Sequence, residues 1–277
     1  MNNSNRVELA QDTLRIIESG NYRNNLGETV SIKTEIAEAA ENSKLFRDED
    51  FPEKFDLTRN DAVATRFEIT DETTLEAAKR TSKENADEDA FVLNFASAKN
   101  PGGGFLRGTI AQEESIAYAS ALYATLTPHS AMYDYNRRNG TAIYSDWMIY
   151  SPKVPVFRND DGSLLQTPYA ATFLTSPAVN AGALRQNEPN KVHLIAPINR
   201  ERARKFLWIA NREEHQTLIL GAWGCGVFQN DPQEIAEMFK DLLTGEFENC
   251  FARVIMAIYD RTPSQRVYNA FAEVFGK

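Results

Sequence analysis

Two adjacent carboxylates, Glu113 and Glu114, follow a run of three glycines, Gly102-Gly103-Gly104, with seven residues between Gly104 and Gln112. Paired carboxylates suit glycosidic chemistry, in which one acid protonates the departing oxygen and the other orients a sugar or a water. Three consecutive glycines remove every Cβ from a stretch of backbone and let its N–H groups approach a ligand closely. Thr109-Ile110-Ala111-Gln112 reads as a Thr-x-x-Gln capping box, so both acids fall in the first turn of a helix. Acids there can simply answer the helix dipole. The residues that follow, Ser115 to Leu122, are small or apolar, which argues for a buried helix and a cleft at its mouth.

A second glycine loop, Gly221-Ala222-Trp223-Gly224-Cys225-Gly226-Val227-Phe228-Gln229-Asn230, leaves an apolar strand and enters a helix marked by Asp231, Pro232 and Glu234. Glycine-rich backbone leading to a helix N-terminus is a phosphate cradle. It lacks the third glycine of a dinucleotide fingerprint and the Gly-Lys-Ser/Thr of a P-loop. Phe228 is placed either to stack on a ribose or base or to fill the core. Cys225 has no candidate His base nearby in sequence, which argues against a nucleophilic thiol.

The elements that must position these loops alternate along the chain. Helices are expected at Val7–Ile17, Thr34–Ala40, Thr74–Ala78, Ala111–Leu126, Glu201–Asn211, Asp231–Leu243 and Ser264–Phe275. Strands are expected at Glu28–Ile32, Val63–Ile69, Ala90–Phe95, Tyr144–Phe157, Tyr169–Leu174, Val192–Ala196, Thr217–Ala222 and Arg253–Tyr259. A turn at Asn159-Asp160-Asp161-Gly162 separates two of them. This order calls for an α/β fold, a mixed and mostly parallel sheet with helices on both faces. Residues 1–60 are expected to form an accessory region packed on the same core, within one domain spanning 1–277.

The chain carries 30 Lys+Arg against 39 Asp+Glu, a formal charge of −9, which argues against binding a nucleic-acid backbone. The densest basic stretch, Arg200 to Lys205, reads as a solvated helix face. Two cysteines fit a reducing compartment, and the three histidines lack metal-ligand spacing, so neither a metal nor a cofactor is expected. With no apolar run of membrane-spanning length and no secretory h-region, the expected location is cytoplasmic.

The glycine run followed by Gln112-Glu113-Glu114 resembles the GGG-x(6–8)-QEE motif of poly(ADP-ribose) glycohydrolases. The surrounding pattern, including Ala196-Pro197-Ile198-Asn199 and Gly221 to Phe228, is similar to the bacterial-type branch. The resemblance runs from about residue 5 onward and implies a macrodomain-like three-layer fold. It also implies hydrolysis of the O-glycosidic ribose–ribose bond of poly(ADP-ribose) without a metal, mainly from the chain end, releasing ADP-ribose. By this likeness Glu114 is the acid/base and Glu113 holds ribose hydroxyls. Asn100, Gly102, Gly103 and Gly104 contact the terminal ribose, Gln112 is a further substrate-binding residue, and Gly224, Cys225, Gly226, Val227 and Phe228 surround the diphosphate, with Phe228 near that ribose. The polymer and ADP-ribosylated proteins are the implied partners. The longer animal enzymes carry a tyrosine-bearing clasp with no counterpart located here, and Glu68-Ile69 is a faint candidate for adenine. Burial, Glu113 and a bound diphosphate should make Glu114 a competent acid when substrate is present. Two alternatives stand beside this reading: a macrodomain hydrolase of mono-ADP-ribosyl linkages, and a non-catalytic ADP-ribose-binding module.

Overall fold

A computed structural model describes residues 2–60, 62, 64–84 and 89–276. In chain order the described elements are α1 (Asn3–Ser19), β1 (Asn21–Arg23), β2 (Thr29–Ser31), α2 (Lys33–Glu41), β3 (Lys44–Phe46), β4 (Arg66–Thr70) and α3 (Thr74–Glu84). There follow β5 (Phe91–Phe95), α4 (Gln112–Ala119), α5 (Leu122–Leu126), α6 (Ser130–Asn139), β6 (Met148–Arg158), β7 (Leu164–Ser176) and α7 (Ala181–Asn187). The last are α8 (Ile195–Arg212), β8 (Thr217–Leu220), α9 (Pro232–Leu243), β9 (Arg253–Ala257) and α10 (Arg266–Phe275).

Strands β1 and β2 form a small hairpin; the rest make one sheet in the order β3-β6-β7-β5-β8-β9-β4. The pairings from β7 through β4 are parallel, while β6 runs antiparallel to both β3 and β7. Strands β5, β8 and β9 are apolar runs because both faces are covered. Phe91, Leu218 and Val254 face a core that includes Phe206, Phe239 and Phe271 from α8, α9 and α10. Val92, Ile219 and Ile255 face the opposite core, with Ile116, Leu122 and Tyr133 from α4, α5 and α6. The result is the expected α/β arrangement of three layers.

Local signals explain several boundaries. Gly20 ends α1 in the left-handed region at φ 69°, and the Asp231 carboxylate accepts from the Gln233 and Glu234 amides at the start of α9. The Asn159–Gly162 turn closes the β6–β7 hairpin. Val63, the first residue of one expected strand, lies outside the described residues.

Three expectations need correction. Val192–Ala196 is not a buried strand. A 3-10 turn over Pro189–Leu194 runs directly into α8, and only Ile195 of the five is buried. A short apolar run does not distinguish a strand from a helix, and the prolines at 189 and 197 suit a helix start. The single helix expected over Ala111–Leu126 breaks at Ser120, whose extended backbone bridges to Val156 of β6. The basic stretch is not a solvated face either. Arg202 is fully buried, donating to Asp146 Oδ1 at 2.9 Å, to the Pro177 carbonyl at 2.7 Å and to the Ile143 carbonyl at 3.1 Å. Arg204 pairs with Glu246 and Lys205 with Asp146. The helical spacing that makes this stretch look like one charged face in fact divides it between surface and interior.

Arg202 thus ties the segments before β6 and after β7 to α8. Arg202→Ala leaves the Pro177, Ile143 and Tyr144 carbonyls and part of a carboxylate without their donor. It should lower unfolding stability by about 3–5 kcal/mol in a chemical denaturation series. A loss below about 1 kcal/mol would show that water replaces the guanidinium.

Candidate active site

The parallel strands end at one edge of the sheet, and the loops that follow β5, β7 and β8 meet there. In the loop after β5, Gly102 and Gly103 take φ values of 68° and 63°. A Cβ on Gly103 would lie 2.4 Å from Glu114 Oε1 and 3.0 Å from Glu113 Oε2. The glycine backbone therefore lies directly on both carboxylates, and no larger residue fits between them.

The helix carrying the two acids starts differently from expectation. Ala111, not Thr109, is the N-cap residue of α4 and provides no side-chain cap. The Thr109 hydroxyl instead donates to Glu114 Oε1 at 3.1 Å, beside the Gly104 amide at 2.8 Å. Gln112, expected among the substrate-binding residues, is engaged with the scaffold. Its Oε1 accepts from the Phe95 amide at 2.8 Å, and its Nε2 donates to the Leu93 carbonyl at 2.8 Å and Thr74 Oγ1 at 3.2 Å. Gln112 latches α4 to β5 and so fixes where both glutamates point.

Glu113 is 3% exposed and Glu114 9%. The Ser97 amide donates to Glu113 Oε2 at 2.6 Å, and the Asn94 side chain approaches its Oε1 at 3.4 Å while also donating to Thr175 Oγ1. Burial pushes the Glu113 carboxyl up to about 8, with the neighbouring Glu114 adding to the rise. Asn100 is exposed, and its carbonyl receives the Gly103 amide at 3.0 Å.

The second loop is held from below. Buried Trp223 donates from Nε1 to the Ser176 carbonyl at 2.9 Å. Asn230 donates to the Val179 and Gly224 carbonyls and accepts from Asn199, whose own oxygen accepts from the Val179 amide. Gly224 has φ 72°, and a Cβ there would come within 2.6 Å of Ala178 Cβ. Gly226 is exposed, and a Cβ on it would enter open space. Val227 is exposed at the rim. Burial pushes the Cys225 thiol up to about 12, so it carries no thiolate at neutral pH. The Phe228 ring packs 5.9 Å from that of Tyr144, and Lys99 Nζ lies 5.9 Å from the same Tyr144 ring, so these three groups span from one loop to the other.

Sequence reasoning missed Asn94, Asn230 and Tyr144. An asparagine inside the apolar run of β5 was a visible signal, since a buried amide must have a partner. Tyr144, at φ 63°, gave none. Glu68 is not available to a ligand, because Arg253 binds both its oxygens at 2.7 and 2.9 Å. Among the described residues no group of three His, Cys, Asp or Glu is placed to hold a metal ion.

Residues 10–159 match the family described as microbial-type PARG, catalytic domain. The chain belongs to this family. Its fold is similar to that of poly(ADP-ribose) glycohydrolase (PARG) from Thermomonospora curvata, with 42% identity over 98% of this chain and 100% of that one, and a TM-score of 0.94. The same protein bound to the inhibitor ADP-HPD matches at 42% identity, 98% and 99% coverage and a TM-score of 0.89. PARG from Deinococcus radiodurans in complex with ADP-ribose matches at 42% identity over 86% of this chain and 96% of that one, TM-score 0.80. No match was found among curated proteins. Membership in the PARG family makes this chain a glycosidase, and no helix among its described residues is long and apolar enough to cross a membrane.

The raised Glu113 carboxyl has a consequence for stability. The folded protein keeps a proton that the unfolded chain loses near pH 4.5, so this group lowers stability as pH rises from about 4.5 to about 8, and the deficit persists above that. Glu113→Gln keeps the Ser97 bond without the charge. Its melting temperature should match the parent below pH 4.5 and exceed it by several degrees above pH 8. A difference that stays constant across this range would mean that Glu113 ionises freely.

Proposed function

We propose that this poly(ADP-ribose) glycohydrolase encloses one terminal ADP-ribose between its two glycine loops and cleaves mainly from the chain end. The observation that carries the reading is the contact between Gly103 and both carboxylates, because a sugar resting on that backbone meets Glu113 and Glu114 together. The diphosphate lies along Gly224 to Phe228, with Phe228 packing beside the ribose, and Asn100 and the 102–104 backbone line the distal ribose. For adenine, Tyr259 offers an exposed ring just beyond the end of β9, at the same edge of the sheet, with the Arg261 guanidinium 4.4 Å from its centroid on one side.

Glu114 Oε1 is held by the Gly104 amide and the Thr109 hydroxyl, leaving Oε2 to reach the glycosidic oxygen. In this mechanism Glu114 protonates the departing ribose oxygen as the bond breaks. The anomeric carbon gains oxocarbenium character, which the diphosphate and the carboxylate stabilise. Water then adds at that carbon and returns its proton to Glu114. Glu113 holds ribose hydroxyls, which fixes the reacting bond against Glu114. A protein-linked last unit presents an amino-acid side chain where the next ribose would be, so turnover should stall there. Residues 1–60 act with the rest of the chain as one catalytic unit, and the polymer on modified proteins is the partner.

Glu114→Ala should reduce polymer hydrolysis by at least about a thousandfold while leaving ADP-ribose affinity within about tenfold, because the acid acts mainly in the transition state. Turnover of purified polymer and calorimetry with ADP-ribose check the two parts, and chromatography of early parent-enzyme products reads the cleavage mode. ADP-ribose should dominate, and abundant intermediate-length oligomers would refute cleavage from the end. An alanine variant that turns over at the parent rate would remove Glu114 from the acid role.

The two glycines of the second loop should differ. Gly224→Val strains a left-handed backbone and pushes on Ala178, which should weaken ADP-ribose binding by roughly 10- to 100-fold. Gly226→Ala meets no protein atom and should change affinity only if ligand fills the space above it. Calorimetry with ADP-ribose measures both, and undiminished affinity in a folded Gly224→Val protein would contradict the cradle.

A further inference from the structure

The two donors that hold Glu114 Oε1 come from opposite ends of one tight turn. The Gly104 amide lies at its start and the Thr109 hydroxyl at its end, with a 3-10 segment, Phe105–Arg107, between them. Internal bonds close the turn: Arg107 and Thr109 amides donate to the Gly104 carbonyl at 2.9 and 3.3 Å, and Gly108 to the Phe105 carbonyl at 3.0 Å. Wherever this turn moves, both donors move with it.

The turn is clamped from two sides. From within, the Tyr118 hydroxyl of α4 lies 2.9 Å from the Phe105 carbonyl and 2.8 Å from that of Thr109. From outside, the first turn of α1 reaches it across more than a hundred residues of sequence. Arg6 Nε donates to the Gly108 carbonyl at 2.6 Å, and Asn3 Nδ2 reaches the Arg107 and Gly108 carbonyls at 3.1 Å each. The approach is close enough that a Cβ on Gly108, itself at φ 75°, would lie 2.7 Å from the Asn3 carbonyl oxygen. Helix α1 is capped at its start and tied to α4 further along. Asn2 caps its start by accepting from the Asn5 amide, and Thr13 Oγ1 donates to the Tyr118 carbonyl at 2.7 Å.

We infer that the first turn of α1 is a strut that sets the catalytic position of Glu114, with Arg6 and Asn3 as positioning residues acting through the Gly104–Thr109 turn. The inference rests on the reading of Glu114 as the acid. Without the strut the turn keeps its internal bonds and its tie to Tyr118, so the protein folds. Its outer carbonyls, however, are free to move toward water and carry the two donors away from Oε1. Geometry of the acid governs the chemical step more than the binding of the terminal unit, so the cost falls on kcat.

The test uses the full chain with purified poly(ADP-ribose). Arg6→Ala should lower kcat by about tenfold with KM and ADP-ribose affinity within about twofold, and Asn3→Ala should do the same to a smaller degree. Arg6→Lys, which retains a cationic donor on a long stem, should recover much of the loss. A purely structural role would lower the melting temperature without changing kcat per folded molecule. Thr109→Val removes one of the two donors directly. If Arg6 acts through the turn, the Arg6→Ala/Thr109→Val double variant should lose clearly less than the product of the single losses. Multiplicative losses, or an Arg6→Ala protein with parental kcat, would overturn the strut. Should Arg6→Ala fail to fold, Arg6→Gln and Asn3→Ala supply the same comparison. Parental activity in Glu114→Gln would instead overturn the acid assignment, an outcome separate from parental activity in the Arg6 variants.

Discussion

Two carboxyl groups buried side by side are an energetic liability, and the architecture around the cleft is organised to tolerate it. Desolvation penalises each charge and mutual repulsion penalises the pair, so the fold must supply donors or keep a proton. It does both. Glu114 receives the Gly104 amide and the Thr109 hydroxyl, while Glu113 receives the Ser97 amide and is held well above the usual carboxylate range. The loop can lie this close to both acids only because Gly103 brings no Cβ between them. The requirement for glycine and the tolerance of the acids are therefore one constraint.

A site with this requirement needs a rigid surround. Gln112 latches α4 to β5, the Asn199–Asn230 pair joins the second loop to the segment after β7, and Arg202 ties that segment to α8. Each uses a side chain with several polar atoms to satisfy buried backbone groups on different elements. Such groups cost free energy whenever a partner is lost, so the loops have few alternative arrangements. Rigidity here comes from hydrogen-bond accounting as much as from apolar packing.

The layers and the chemistry were legible from sequence for different reasons. Continuous apolar runs identified β5, β8 and β9, glycine content identified both loops, and the tandem acids marked the first. Pattern alone failed where two structures share it. Val192–Ala196 has the apolar content of a strand but belongs to a helix entry, and Thr109 has the chemistry of a cap but bonds Glu114. Gln112 was recognised as important and assigned to ligand, although its amide faces the scaffold. The Arg6 and Asn3 contacts with residues 107 and 108 join distant parts of the chain, and no local periodicity encodes them.

The thiol in the second loop has a wider consequence. Oxidants and alkylating agents attack thiolates, and burial keeps Cys225 protonated far beyond neutral pH, with its sulfur turned toward the Trp223 carbonyl. A sulfenic acid or a mixed disulfide at that position would add bulk within the turn between Gly224 and Gly226. By suppressing the thiolate, the fold slows oxidation and alkylation at the one thiol of this glycine loop.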